Sequence, residues 1–128
     1  MAVEWDWTRV VFDHVKISVR DPAVSVAFYR AVLGELSIPP LWENPRGAQF
    51  ANLVVFEGDP SGPAHLAFVA GSREEVDAFY RAGLDAGGRD NGTPGIREQY
   101  SSDDAGLYYA AFLLDPDGNN VEAVVREL

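Results

Sequence analysis

Two stretches of the chain repeat the same order of hydrophobic and polar positions. Each opens with a short alternating segment, which places apolar side chains on one face of a β-strand. The apolar members are Val15, Ile17 and Val19 in the first copy and Leu66, Phe68 and Ala70 in the second. Apolar positions spaced three or four residues apart then follow, so each copy is predicted to form a strand and an amphipathic helix.

The two copies also share individual residues. At a shift of 51 residues, segment 14–33 aligns without gaps on segment 65–84, with seven identities in twenty positions. His14 aligns with His65, and the block 27–31 aligns with 78–82. We therefore expect two copies of one structural unit.

Residues that favour helix starts stand at equivalent positions in both copies. Asp21 is a good N-cap before Pro22, and Ser72 opens a capping box with Glu75. The predicted apolar stripes are Val24, Ala27, Phe28 and Ala31 in the first helix and Val76, Phe79, Tyr80 and Leu84 in the second. Glycines at positions 34, 87 and 88 predict the helix ends.

Three strands are predicted after each helix. In the second copy they are placed at 96–100, 108–114 and 120–125, with a turn at Asp115-Pro-Asp-Gly118 before the last. In the first copy they are placed near 40–43, 49–52 and 53–56, without a clear turn between the last two. Segment Val3–Val11 alternates weakly, which predicts an extra edge strand or a docking segment.

The predicted fold is therefore α+β, with two paired βαβββ modules forming a cleft and the helices outside. Residues 1–128 would form a single domain. Module one spans about 11–57, a linker rich in glycine and proline spans 58–63, and module two spans about 64–128.

Composition narrows the possible functions. The chain has 128 residues, no cysteine, ten Lys and Arg, twenty Asp and Glu, and a net charge of −10. The charge disfavours nucleic acid and anionic membranes as partners and permits a cationic ligand, although acidity also simply promotes solubility. Without a membrane-spanning run or a signal-peptide pattern, a cytoplasmic location is expected.

Two histidines and one carboxylate form the strongest candidate for chemistry. Strand alternation places His14, His65 and Glu122 on the faces that the helices leave free. Such a set suits Zn, Fe(II), Mn, Ni or Co with positions open for water or substrate, although a single histidine is more often a surface or hydrogen-bonded residue. Weaker candidates for substrate binding, which also fit ordinary packing, are Tyr100, Tyr108, Tyr109, Arg97 and Trp42.

Four motifs in order resemble the vicinal oxygen chelate superfamily, which includes glyoxalase I, fosfomycin-resistance transferases, extradiol dioxygenases and bleomycin-resistance proteins. They are Asp13-His14-Val15 ahead of Asp21-Pro22, Phe28-Tyr29 with Leu33-Gly34, His65-Leu-Ala-Phe68, and Asp115-Pro-Asp-Gly-Asn-Asn-Val-Glu122. The resemblance covers the chain from about residue 11 to its end.

The resemblance implies that His14, His65 and Glu122 bind a divalent metal, and that the protein is a homodimer. Family members with four protein ligands take the fourth from the last strand of the first module, where this chain has Val54 and, three residues away, Glu57. A three-ligand site, or no metal, is therefore expected.

Two functions remain open from the sequence, besides a pure assembly role. The first is a metal-dependent lyase or isomerase, transferase or dioxygenase whose substrate binds Zn, Ni, Mn or Fe(II) through neighbouring oxygens. The second is a metal-free protein that sequesters a small molecule, for which the net charge of −10 suits a cationic drug.

Overall fold

A computed structural model describes residues 4, 6, 9–60 and 62–128. The first half contains β1 (Val15–Val19), α1 (Pro22–Gly34), β2 (Pro40–Asn44), β3 (Gly47–Phe50) and β4 (Leu53–Glu57). The second contains β5 (His65–Val69), α2 (Arg73–Asp85), β6 (Arg89–Ile96), β7 (Leu107–Leu114) and β8 (Asn120–Glu127). The expected α+β fold of two βαβββ modules is confirmed. Of Val3–Val11, where an extra edge strand or a docking segment was expected, residues 3, 5, 7 and 8 lie outside the described residues.

Each module contributes one four-stranded sheet. Sheet A has the strand order β1-β4-β3-β2, and sheet B has the order β5-β8-β7-β6. In both, the first strand runs parallel to the last, and the remaining neighbours are antiparallel. As a result, within the described part of the chain, β1 and β5 each have a neighbouring strand on one side only.

The repeat holds at the level of strand register. Lys16 pairs with Val54 in sheet A, and Ala67 pairs with Glu122 in sheet B. Because Lys16 and Ala67 are equivalent in the repeat, Val54 occupies the position in module one that Glu122 occupies in module two. Module one thus has no carboxylate at that position.

The two helices also begin and end at equivalent positions. The Asp21 side chain accepts a hydrogen bond from the Val24 amide of α1, and Ser72 Oγ accepts one from the Glu75 amide of α2. Both predicted N-caps are confirmed, but the Glu75 side chain accepts a hydrogen bond from the Gly71 amide, one residue before the Ser72 amide expected in a capping box. Each helix has 13 residues, and none in the described part of the chain is long and apolar enough to cross a membrane.

The main core lies on the helix side of both sheets. Ile17, Val19 and Ala70 are buried, with Leu66 and Phe68 packed against them, so the predicted strand alternation is confirmed. The stripe predicted for α1 is wrong, because its buried residues are Ser25, Val26, Phe28, Tyr29, Val32 and Leu33. This helix contacts sheet A, α2 and the turn before β8, so its buried face is broader than one stripe.

Two strand predictions also need correction. The segment predicted as a strand at 96–100 contains the end of β6 and a short 3₁₀ turn at Glu98–Tyr100. In module one, the strand predicted at 49–52 spans Gly47–Phe50, and Ala51, with φ of 50°, begins the turn that the sequence did not reveal. Alanine carries no turn signal, which explains the error.

The turn at Asp115–Gly118 joins the two modules. Asp115 accepts hydrogen bonds from the Asp117 and Asn119 amides, as expected for a turn residue. Its other carboxylate oxygen accepts one from the Tyr29 hydroxyl of α1 at 2.5 Å, in a buried environment. Asp117 accepts from the Arg20 amide and the Ser25 hydroxyl. The turn therefore fixes the start of α1 against sheet B.

Candidate functional site

The candidate site lies on the open face of sheet B, the face opposite α2. Because β5 and β8 are paired in parallel, His65 and Glu122 come from neighbouring strands and meet side chain to side chain. His65 Nε2 is 2.8 Å from Glu122 Oε1. Glu122 is only 2% exposed, so the carboxylate forms the floor of the site.

Tyr108 holds the second oxygen of this carboxylate. Its hydroxyl donates a short hydrogen bond to Glu122 Oε2. Burial, together with this hydrogen bond and the charge of Glu122, raises the pKa of Tyr108 to about 12. The phenol is therefore a proton donor to Glu122 throughout the physiological pH range, and it fixes which carboxylate oxygen faces His65.

A cavity of about 350 Å³ opens above this pair. We call it the site cavity, and its lining residues are His65, Tyr100, Tyr108, Phe112, Glu122 and Arg126. Its volume suits a small organic molecule. Three aromatic rings form its walls, and one buried carboxylate and one guanidinium supply the charge.

A second cavity of about 270 Å³ adjoins the first across Tyr100 and Phe112, which line both. Arg97 lies in this second cavity, stacked on the Phe112 ring, and donates hydrogen bonds to the carbonyl oxygens of Gly95 and Thr93. The buried Oδ1 of Asn120, in the same cavity, has no hydrogen-bond partner among the described residues.

His14 lies apart from the other two candidate ligands. The end of β1 contacts the turn before β8 through Arg20 and Asp117, and the start of β5 contacts the same turn through Ala64 and Asn119. His14 precedes β1 and is six residues before Arg20, so it lies at the opposite end of β1 from the contact between Arg20 and Asp117. Accordingly, no three His, Asp or Glu side chains converge on one point within the described ranges.

The surroundings of His14 nevertheless suit a ligand. Asp13 Oδ2 lies 2.8 Å from His14 Nδ1. A carboxylate on one ring nitrogen is the usual arrangement behind a metal-binding histidine, because it orients the ring and leaves Nε2 free. The His14 side chain is 59% exposed.

The donor set of His65 and Glu122 fits a divalent ion. Ligand bonds of about 2.0–2.2 Å place two adjacent ligand atoms about 2.8–3.1 Å apart at a right angle and about 3.3–3.6 Å apart at the tetrahedral angle. The separation of 2.8 Å between His65 Nε2 and Glu122 Oε1 lies at the short end of these distances. One chain thus brings two candidate ligands together, and a third, His14, would have to come from another chain.

The remaining candidate substrate residues divide between the two faces. Tyr100 lines the site cavity and Arg97 the adjoining one. Tyr109 lies on the helix side of sheet B, where its hydroxyl donates to Asp77 at 2.6 Å. Trp42 lies on β2 of sheet A, where its indole N–H donates to Gln49. One chain therefore does not bring Tyr109 or Trp42 to the cavity.

Sequence reasoning missed Phe112 and Arg126. Both were accessible to the same alternation that found Glu122, because Phe112 pairs with Glu122 and Tyr108 pairs with Arg126 across β7 and β8. The predicted last strand ended at residue 125, whereas β8 continues to Glu127. Two further residues of alternation would have placed Arg126 on the face of Glu122.

Comparisons with known proteins agree with this architecture. The family model described as the Glyoxalase/Bleomycin resistance protein/Dioxygenase superfamily matches residues 11–123. A glyoxalase/bleomycin resistance protein from Albidiferax ferrireducens T118 is 35% identical, with a TM-score of 0.76, over 90% of this chain and 98% of that one.

More distant solved structures share the fold. A putative glyoxalase from Bacillus halodurans is 26% identical, with a TM-score of 0.67, over 93% of this chain and 98% of that one. A lactoylglutathione lyase from Agrobacterium tumefaciens is 18% identical, with a TM-score of 0.64, over 91% and 92%. A comparison with curated proteins finds no significant match. From the family model and the relative at 35% identity, the chain belongs to the Glyoxalase/Bleomycin resistance protein/Dioxygenase superfamily.

Proposed function

We propose that this protein is a small metal-dependent enzyme that binds a small substrate through two neighbouring oxygens to a divalent ion. The proposed ligands are His14, His65 and Glu122. The observation that carries the proposal is the approach of His65 Nε2 to Glu122 Oε1 at 2.8 Å on the floor of a cavity. A buried carboxylate facing an imidazole across this distance is suited to a shared ion.

A second copy of the chain supplies the third ligand in this proposal. Since His14 lies at the far end of β1 from the turn that contacts β5, one chain does not gather all three ligands. Within the described residues His14 Nε2 has no partner, and its side chain is exposed, so it is available to another chain. The proposed assembly is an isologous homodimer with two equivalent sites.

The exposed strand edges support this assembly. Among the described strands, β1 and β5 each end a sheet, so each presents backbone groups that no described strand pairs with. Unpaired strand edges can form backbone hydrogen bonds with a strand of another chain. Exposed apolar residues accompany both, with Val10 79% and Phe12 68% exposed before β1 and Val69 84% exposed at the end of β5. Pairing β1 of one copy with β5 of another would cover them.

The bound ion would polarise the substrate oxygens or lower the pKa of a bound water. The residues of this chain have separate tasks. Tyr108 holds Glu122 Oε2, which leaves Oε1 for the ion. The rings of Tyr100 and Phe112 wall the cavity with apolar surface. Such metals suit isomerisation, addition to an electrophile, or oxygen insertion.

Metal content tests the proposal. After incubation with Zn, Ni, Mn or Fe(II) and desalting, plasma mass spectrometry is expected to find about one ion per chain. His65→Ala is expected to lose that ion. Glu57→Gln, which alters an exposed glutamate at the end of β4, is the matched control and should retain it. No bound metal in the unaltered protein, or full retention by His65→Ala, would contradict the proposal.

The second candidate is a metal-free protein that sequesters a small molecule. It is favoured by the cavity itself, which one chain forms without a third ligand. This function requires ligand binding that is unaffected by chelators. Thermal-shift screening of cationic and anionic compounds in EDTA separates it from the enzyme.

A further inference from the structure

The charge inside the site cavity differs from the charge of the chain as a whole. Acidic residues outnumber basic ones by twenty to ten. Yet an arginine lines the site cavity and a second lines the cavity beside it. These are the groups a ligand would meet, whereas exposed acidic residues beyond about 8 Å are largely screened at physiological salt.

The guanidinium of Arg126 has no ion-pair or hydrogen-bond partner among the described residues. Its guanidinium carbon lies 4.8 Å from the centre of the Tyr108 ring, so the group is stacked in place. Among the described residues, no carboxylate forms an ion pair with it and no hydrogen bond engages its donors. Its five N–H donors are therefore free for a ligand.

Arg97 differs in this respect. Two backbone carbonyls already accept its hydrogen bonds, and its guanidinium carbon lies 5.3 Å from the centre of the Phe112 ring. It contributes positive charge beside the site cavity, but it has fewer donors to offer. Arg126 is thus the better placed of the two to form a direct pair.

We propose that the site cavity takes a small anionic ligand with a flat, unsaturated body, whose carboxylate or similar planar oxyanion pairs with Arg126. This proposal rests on the proposed function, since it names the substrate class of the same site. The fixed fork of a guanidinium matches two carboxylate oxygens. The rings of Tyr100 and Phe112 offer faces and edges to an unsaturated body.

The same features disfavour a cationic organic ligand in this cavity. Such a ligand would face Arg126 directly and Arg97 nearby. Among the described residues, Glu122 is the only carboxylate that lines the site cavity, and it is hydrogen-bonded to Tyr108 and next to His65. Like charges in a partly enclosed site repel strongly. The acidic composition of the chain therefore does not indicate the charge of its ligand.

Three probes of one shape test the charge preference. They are 2-naphthoate, 2-naphthamide and 2-naphthylmethylamine, which are anionic, neutral and cationic at pH 7, each titrated into the protein by calorimetry. We expect naphthoate to bind at least tenfold more tightly than naphthamide, because a hydrogen bond to a charged group is markedly stronger. Naphthylmethylamine should bind weakest.

Substitutions assign the preference to one residue. Arg126→Gln should remove the tenfold advantage of naphthoate, and Arg126→Lys should restore part of it by returning the charge without the fork. Arg89→Gln removes an exposed arginine outside the cavity and should change nothing. Tighter binding of the cation, equal binding of naphthamide, unchanged naphthoate binding by Arg126→Gln, or no binding of any probe would overturn the proposal.

The test of the ligand class and the test of the metal-dependent enzyme can fail independently of each other. Metal content is measured on the same samples. Metal bound without a naphthoate preference would overturn the ligand class alone. A naphthoate preference that depends on Arg126 in a protein that takes up no metal would overturn the metal-dependent enzyme and leave the ligand class standing.

Discussion

The buried hydrogen bond between Tyr29 and Asp115 is the basis of a stability prediction. Tyr29 is fully buried and Asp115 is 2% exposed, and the two join α1 of module one to the turn before β8. Tyr29→Phe removes the hydroxyl and leaves the ring packed. Burial and the neighbouring Asp115 raise the pKa of Tyr29, so the hydroxyl is a donor at neutral pH.

The expected loss follows from the partners that remain. A hydrogen bond to a charged group contributes about 1.5–3 kcal/mol. Asp115 keeps its donors from Asp117 and Asn119, so it is not left without partners. We therefore expect a decrease of about 2 kcal/mol in the free energy of unfolding. For a chain of this size, that lowers Tm by about 8 °C.

Urea unfolding followed by tryptophan fluorescence measures this loss. Protein concentration is held constant, because dimerisation would couple stability to concentration. Tyr80→Phe is the matched control, since its hydroxyl also donates to an aspartate, Asp90, but in an exposed pair. Its expected cost is about 0.5 kcal/mol or less. Equal losses in the two variants would refute the reasoning, as would zero coupling between Tyr29→Phe and Asp115→Asn in a double-mutant cycle.

Three further predictions follow from local geometry. Gly47→Ala should lower the free energy of unfolding by about 1–3 kcal/mol, because a Cβ there would lie 2.2 Å from the Val55 carbonyl oxygen. Gly34→Ala is the control and should cause no such loss, because nothing lies within 4 Å of a Cβ at that position. Thermal unfolding compares the two variants. Tyr108→Phe should weaken metal binding by about 10–100-fold in calorimetry by freeing the Glu122 carboxylate, and unchanged affinity would exclude this role. The pKa of Tyr108 is raised to about 12 from 10.0. The contribution of its hydroxyl to stability is therefore complete below pH 10 and lost as the pH rises through 12. Between pH 10 and 12, the urea midpoint should fall less in Tyr108→Phe than in the unaltered protein.

Local patterns predicted most of the fold because they report on short-range physics. The 51-residue repeat placed α1 and α2 at equivalent positions, and side-chain alternation assigned the two faces of β1, β5 and β8. The N-caps at Asp21 and Ser72 followed from the capacity of their side chains to accept amide hydrogen bonds. Each of these features depends on neighbours within a few residues.

The errors in the buried face of α1 and in the candidate site arose where contacts with distant parts of the chain determine the structure. The buried face of α1 depends on α2 and on the Asp115–Gly118 turn, which a single helical stripe does not record. The candidate site was predicted in part for the same reason. Glu122 and His65 meet because their strands are neighbours, whereas the position of His14 depends on how the two modules pack.

A mixing experiment tests the central claim, a metal site shared between two copies, most directly. His14→Ala and His65→Ala are each expected to lose the metal. Co-expression in equal amounts should form mixed dimers in which one site has all three ligands and the other lacks both histidines. With random assortment about half of the dimers are mixed, so about one quarter of the unaltered metal content should return. Metal content that stays at the level of the single variants would contradict a shared site.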